Sequence, residues 1–335
     1  IDFASTMVQE VRHGLGFWAS FGQDEIDLNL GSYSEPPAVA DDFVIRVADG
    51  AKLLELPNRS AALLEAMQQG SGAVAFNGPN TVAINNGNAP FLYSPNPFSP
   101  GSSISHWDDD NPSNLGRLMN AATASGPSAR VVDAITLMLL KDIGWSVHDA
   151  ADFGDSTLAA YGNAQHINDP TFVHYLSLGA TFSTETAPNA ADASDDGVTR
   201  PVSWSVGPNG GQITVTVSAN QAAARGCLSG WIDWGADGDF GAAGEQIAAM
   251  LPVAVGNQLI LFDIPASADN TTAYNARIRL APEWDGDGQC NDQVALAPAG
   301  GVFGGEVEDY QWRLNGGTVI LPPPTNPIFL PLVAK

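Results

Sequence analysis

Gln212-Ile213-Thr214-Val215-Thr216-Val217-Ser218 alternates polar and apolar side chains, which gives an extended segment one apolar and one polar face. That is the pattern of a half-buried β-strand, and it decides the fold of the C-terminal half. Residues 228–234, 258–264 and 276–280 have similar length and composition, with turn-forming residues between them. Several short strands at this spacing predict an antiparallel β-sandwich. The N-terminal part reads differently. Phe3, Met7, Val8, Val11 and Leu15 recur close to helical spacing, stopping at Gly14-Leu15-Gly16. Residues 59–69 read as a second, short helix ended by Gly70. Residues 128–143 read as a third, with Val131, Val132, Ile135, Met138, Leu139 and Ile143 on one face and Gly144 behind it. Asn85-Asn86-Gly87-Asn88 and Ser94-Pro95-Asn96-Pro97 read as loops. The expected fold class is α+β: a helix-bearing region with long loops over 1–147, a sandwich over 148–316, and a Pro-rich apolar tail over 317–335.

Charge narrows the function. Thirteen basic residues, only three of them lysine, stand against 37 acidic ones, a net charge of −24 over 335 residues. So acidic a chain repels phosphate, which argues against nucleic acid and anionic membranes as partners. It suits divalent cations instead. No apolar run is long enough to span a bilayer. Ile1-Asp2-Phe3 carries no charged n-region or cleavage site, so the sequence reads as a processed chain. Cys227 and Cys290 are expected to form one disulfide, since both lie in the Gly-rich β-like half.

Gln9-Glu10-Val11-Arg12-His13-Gly14-Leu15-Gly16-Phe17 is one residue away from His-Glu-x-x-His, in which two histidines on one helical face bind Zn²⁺ and the glutamate is the general base. Gln9 stands where the first histidine belongs. Further on come Gly101-Ser102-Ser103-Ile104-Ser105-His106-Trp107 and Asn114-Leu115-Gly116-Arg117-Leu118-Met119. Together these motifs resemble the leishmanolysin-like branch of the metzincin metallopeptidases, over roughly residues 3–145. The resemblance implies His13 and His106 as zinc ligands beside Gln9, Glu10 as the base, and Met119 as the methionine beneath the metal. Because the chain begins on that helix, the upper metzincin lobe is expected to be absent from it, removed by processing or lost. With Gln9 as a poor ligand, zinc is expected to be weakly held or absent.

Asp152-Phe153-Gly154-Asp155, Asp195-Asp196-Gly197-Val198, 231–240 and Gly305-Glu306-Val307-Glu308-Asp309-Tyr310 follow in that order. The series is similar to the GEVEDY domain of secreted bacterial proteins, over about 152–314. The resemblance implies a β-sandwich of the kind found beside peptidase and adhesion domains. Within it, Asp233, Asp237 and Asp239, around Gly235 and Gly238, can converge oxygens on Ca²⁺. Glu306, Glu308 and Asp309 could add more from a neighbouring strand. Asp285-Gly286-Asp287-Gly288 is a weaker second candidate. His148, His166 and His174 show no ligand spacing, and Trp204, Trp231, Trp234 and Trp284 read as sandwich filling.

Three functions follow for an extracellular or cell-surface chain. It could be a pseudopeptidase kept as a structural or surface-assembly module, an active zinc endopeptidase, or a module that binds protein or glycan. Gln9 and the absent lobe favour the first. Ile320, Leu321, Ile328, Phe329, Leu330, Leu332 and Val333, on a tail whose prolines forbid a helix, suggest self-association by strand addition.

Overall fold

The computed structural model describes residues 3–111, 114, 117–122, 132–156, 161–169, 171–172, 175–185, 194–283, 287–290, 295–316 and 318–319. They fall into two compact units. One comprises 1–148 with 283–295 and 301–303; the other comprises 149–282 with 296–300 and 304–335. Among the described residues sheet predominates, in several antiparallel sheets, and helices are few.

The first unit contains α1 (Phe3–Gly14), β1 (Gly22–Gln23), β2 (Gly31–Ser32), β3 (Val44–Arg46), α2 (Ala61–Met67), β4 (Val74–Phe76), α3 (Pro79–Ile84), β5 (Phe91–Leu92) and α4 (Ala134–Asp142). Local chemistry sets the helix limits. The Ser60 hydroxyl accepts the Leu63 N–H and starts α2, which buries Leu63, Leu64, Ala66 and Met67. Asp133 does the same for Thr136 and starts α4, six residues later than the apolar spacing suggests; 128–131 lie outside the described residues. Gly78 opens α3 with no side-chain cap. Asp142, at the end of α4, supplies one from afar by accepting the N–H groups of Asn80 and Thr81. The apolar stripe of α1 is not a core face: Phe3, Met7 and Val11 are exposed. The core is instead built from Phe17, Leu53, Leu63, Met67, Phe76, Leu92, Trp107, Leu118, Met119 and Leu139.

The second unit contains β6 (Ala151–Phe153), β7 (Ala164–Ile167), β8 (Leu176–Leu178), β9 (Val198–Thr199), β10 (Gly207–Ala219), β11 (Arg225–Ile232), β12 (Gln246–Ala254), β13 (Gly256–Ile264), β14 (Tyr274–Pro282), β16 (Glu306–Trp312) and β17 (Thr318–Val319); β15 (Gly300–Phe303), between β14 and β16 in the chain, belongs to the first unit from residue 301 on. One sheet runs β13-β10-β8, with β9 also on β10; the other runs β12-β11-β14-β16-β17. Their inner faces share a core of Leu178, Val215, Leu228, Ile232, Phe262, Ile278, Leu280 and Trp312. Trp204 meets Phe262 and Trp312 edge-on, and Tyr310 stacks on Trp312. The alternation at 212–218 works as read. Ile213, Val215 and Val217 are buried while Gln212 is exposed. Trp204, Trp231 and Trp234 are buried too, whereas Trp284 and His174 lie outside the described residues.

Candidate functional site

In the first unit α1 carries Gln9, Glu10 and His13 within little more than a turn. His106 lies far along the chain, yet its Nε2 is 3.2 Å from Nε2 of His13. Each ring is fixed from behind. His13 Nδ1 lies 2.6 Å from the Phe17 carbonyl oxygen, and His106 Nδ1 lies 2.9 Å from that of Ser102. A carbonyl can only accept, so both Nδ1 atoms carry the proton and both Nε2 atoms present lone pairs to one another. Two facing lone pairs at this distance call for something between them, a shared proton or a cation. Carbonyl-anchored imidazoles are also the usual support of metal ligands. The pair therefore fits a divalent metal. Burial holds the His106 pKa below its ordinary value, opposed by its hydrogen bond to Ser102; the charge of Glu10 opposes it more weakly.

The other residues of the motif sit around this pair. Met119 is fully buried, and its carbonyl accepts the N–H of Trp107, the residue after His106. Glu10 is exposed. Gln9 uses its amide nitrogen to donate to the Asn120 carbonyl at 3.0 Å. That amide acts as a strut between α1 and the Met119 segment.

In the second unit, Asp233, Asp237 and Glu245 each place a carboxylate oxygen within 4.8 Å of the others. Asp233 and Glu245 are buried, and Asp237 is exposed. The Asp233 carboxylate accepts from Tyr161 Oη at 2.5 Å and from the N–H groups of Asp237 and Gly238; Glu245 accepts from Gly235 and Ala242. Burial pushes the Glu245 pKa up, and the charges of Asp233 and Asp237 add to it. An all-carboxylate donor set suits a hard cation such as Ca²⁺. Glu245 carries no motif signal. It arrives through the β11–β12 hairpin, where its carbonyl accepts the Ile232 N–H.

Asp239, Glu306, Glu308 and Asp309 do not join that group. Asp239 closes its own turn by accepting the Gly241 N–H. On β16 the side chains alternate, so Glu306 and Glu308 share a face that Asp309 does not. Glu306 accepts the Leu178 N–H; Glu308 accepts the Gly197 N–H and the Tyr310 hydroxyl. Asp309, on the other face, forms a bidentate ion pair with Arg277 at 2.8 Å and accepts the Ser156 N–H. Asp287 and Gly288 are described, but Asp285 and Gly286 are not. His166 is fully buried between the Gly304 carbonyl and Arg279, a structural role.

Further contacts join three of the four acidic motifs. The Asp152 carboxylate accepts the Val307 N–H, and Val198 donates to the Tyr310 hydroxyl. A Cβ on Gly154 would fall 2.6 Å from the Arg277 guanidinium. Gly305, at φ +76°, passes so close to the Leu280 carbonyl that a Cβ would lie 1.8 Å from its oxygen. Three of the motifs are thus parts of one buried construction around β16. The second unit is an antiparallel β-rich domain organised on that strand. A family profile described as the GEVED domain matches residues 227–313, a shorter span than the 152–314 over which the motifs run. Most of the matched span belongs to the second unit and none of it falls within residues 3–145, so the likeness of those residues to a metzincin rests on their motifs alone. No curated protein and no solved structure matches the chain. Both cysteines are disulfide-bonded, and among the described residues no helix is long and apolar enough to cross a membrane.

Proposed function

We propose that the chain is a secreted, non-catalytic relative of metallopeptidases that serves as an extracellular structural or surface-assembly module. The observation that carries this reading is the Gln9 amide bonded to the Asn120 carbonyl, 3.0 Å away. In the metzincin arrangement this position supplies a zinc ligand; here it braces the fold. His13 and His106 alone leave the other coordination positions of a zinc to water. The disulfide fits an oxidising, extracellular setting, and calcium at Asp233, Asp237 and Glu245 is the cofactor we propose for the second unit. Self-association through the tail belongs to the same reading. Of the tail, only Thr318 and Val319 are described, paired with Trp312 and Gln311 on β16.

Metal content and peptidase activity test the proposal. The unmodified protein should hold zinc weakly and leave a casein substrate intact, while Gln9→His should raise zinc affinity by an order of magnitude or more. One tightly held zinc per chain together with metal-dependent cleavage would establish the second reading, an active endopeptidase. The 3.2 Å His13–His106 pair is the observation in its favour.

A further inference from the structure

A cleft of about 790 Å³ opens in the first unit, where Asp24, Glu25, Ile26, Tyr33, Glu35 and Arg59 are among the residues that line it. Its volume lies in the range of ligand pockets, and its lining is mostly polar. The loop between β1 and β2 forms one wall and is well fixed. Asp24 is buried; its Oδ1 accepts the N–H groups of Ile26 and Asp27, and its backbone N–H donates to the Leu30 carbonyl. Tyr33 is seated edge-on against Phe21, with ring centroids 5.9 Å apart. The wall is therefore shaped before anything binds, which lowers the entropic cost of binding.

The charges of the cleft do not balance. Among the described residues Arg59 is the one cation in the lining, and its Nε lies 3.1 Å from Asp24 Oδ2, so its charge is matched by the buried carboxylate. Among the described residues Glu35 accepts only a neutral amide hydrogen, from Asn58. Glu25 has no hydrogen-bond or ion-pair partner among the described residues and is exposed. Two carboxylates thus face the cleft with no compensating charge. Beside them the loop holds two large apolar side chains out in water, Ile26 at 87 % and Leu28 at 64 % exposure. A rigid loop that exposes apolar side chains next to uncompensated charge has the make-up of a recognition surface.

We infer that this cleft binds a segment of a partner protein in which a lysine or arginine is flanked by an apolar residue. The cation enters between Glu25 and Glu35, and the apolar neighbour covers Ile26 and Leu28. An anionic ligand is excluded by the sign of the lining and by the net charge of the whole chain. A neutral polyol would have no use for Ile26 and Leu28, which leaves charge complementarity to an apolar-flanked cation as the best match. The inference is independent of the histidine pair and of calcium.

The experiment measures fluorescence anisotropy of a labelled, end-capped Gly-Leu-Arg-Ile-Gly peptide with the full-length protein. An otherwise identical peptide with citrulline in place of arginine is the neutral comparison. The arginine peptide should bind, and the Glu25→Gln/Glu35→Gln double variant should weaken it about tenfold or more. Ile26→Ser should weaken it several-fold, and the citrulline peptide should bind no better than to the double variant. Glu55→Gln/Glu65→Gln makes the same change in net charge at exposed positions outside the lining and should leave affinity unchanged, which separates the cleft from general attraction to an acidic chain. Amide NMR signals from 22–35 should move on binding. Equal affinity in the two double variants overturns the proposal. So does absence of binding at millimolar peptide, or a neutral glycan that binds and is displaced by the same cleft substitutions.

Discussion

The Glu306 carboxylate on β16 accepts the backbone N–H of Leu178 on β8 at 2.6 Å, so a side chain from one sheet of the sandwich completes the hydrogen bonding of the other. Two residues along, Glu308 does the same for Gly197 at 2.7 Å. Both side chains are 1 % exposed. Acidic residues in these positions are costly to bury charged, and the domain's behaviour with pH should show it.

Burial, reinforced by Asp152 and Glu308, pushes the Glu306 pKa up to about 11; burial also pushes Glu308 up to about 8, with Asp196 adding to it. The unfolded chain releases both protons near the ordinary value of 4.5, while the folded domain keeps them. Stability should therefore fall as pH rises from about 4.5, through about 8 for Glu308 and on towards 11 for Glu306. Tm of the domain should be higher at pH 5 than at pH 8, and Glu306→Gln/Glu308→Gln should flatten the slope. A wild-type Tm that climbs between these pH values would refute the assignment.

Arg277 and Asp309 form a second buried construction on the opposite face of β16, with both side chains almost fully enclosed. Arg277 also donates to the carbonyls of Tyr161, Gly162 and Pro298. Removing one member of a buried pair leaves the other charge unmatched, at a cost of about 3–5 kcal/mol. Arg277→Met should lower the urea midpoint accordingly, and adding Asp309→Asn should cost much less than its effect alone. Simple additivity of the two changes would contradict a coupled pair.

The strand at 212–218 was legible because its alternation of apolar and polar residues has a single physical cause, a half-buried sheet, and β13 shows the same alternation of burial; 228–234 and 276–280 were legible from their length and the turn residues around them, since β11 and β14 are buried on both faces and need not alternate. β12 was not, because its alanines and Pro252 blur any alternation; it lies at the edge of its sheet, where proline is tolerated. The acidic motifs were legible as a group, but their purpose was not. Carboxylates in a row suggest a cation, whereas alternation on β16 sends Glu306 and Glu308 into the sandwich and Asp309 onto Arg277. Glu245 joined Asp233 and Asp237 only through hairpin register, which one segment alone does not reveal. The motifs singled out Gln9, His13, His106 and Met119, while the 3.2 Å approach of the two imidazoles and the strut from Gln9 to Asn120 depend on the fold and are not written in any one segment.

Cys227 is fully buried and Cys290 is 6 % exposed, and together they form the chain's disulfide. A bridge closing about 60 residues restricts the unfolded chain by about 4 kcal/mol in the loop-entropy account. Thiol counting on denatured, unreduced protein should find none. Cys227→Ala/Cys290→Ala should shift chemical unfolding by a comparable amount, and a shift near zero would show that the bridge constrains little.

Calcium is the remaining test of the second unit. Asp233 and Glu245 are buried beside Asp237, and the three carboxylates repel one another unless a proton or cation intervenes. A cation that binds only the folded form raises stability by mass action, by about 2.7 kcal/mol at a hundred times its Kd. Tm should therefore rise with millimolar calcium and fall with excess chelator. Asp237 is exposed, so Asp237→Asn should fold normally while losing the calcium response; Glu245→Gln should lose it too and also gain stability in chelator, because a buried acidic group has gone. Asp239→Asn should keep the response, since Asp239 only closes its own turn with Gly241. A Tm identical in calcium and chelator would leave the three carboxylates as a loop clasp held by their hydrogen bonds to Tyr161 and to the N–H groups of Gly235, Asp237, Gly238 and Ala242.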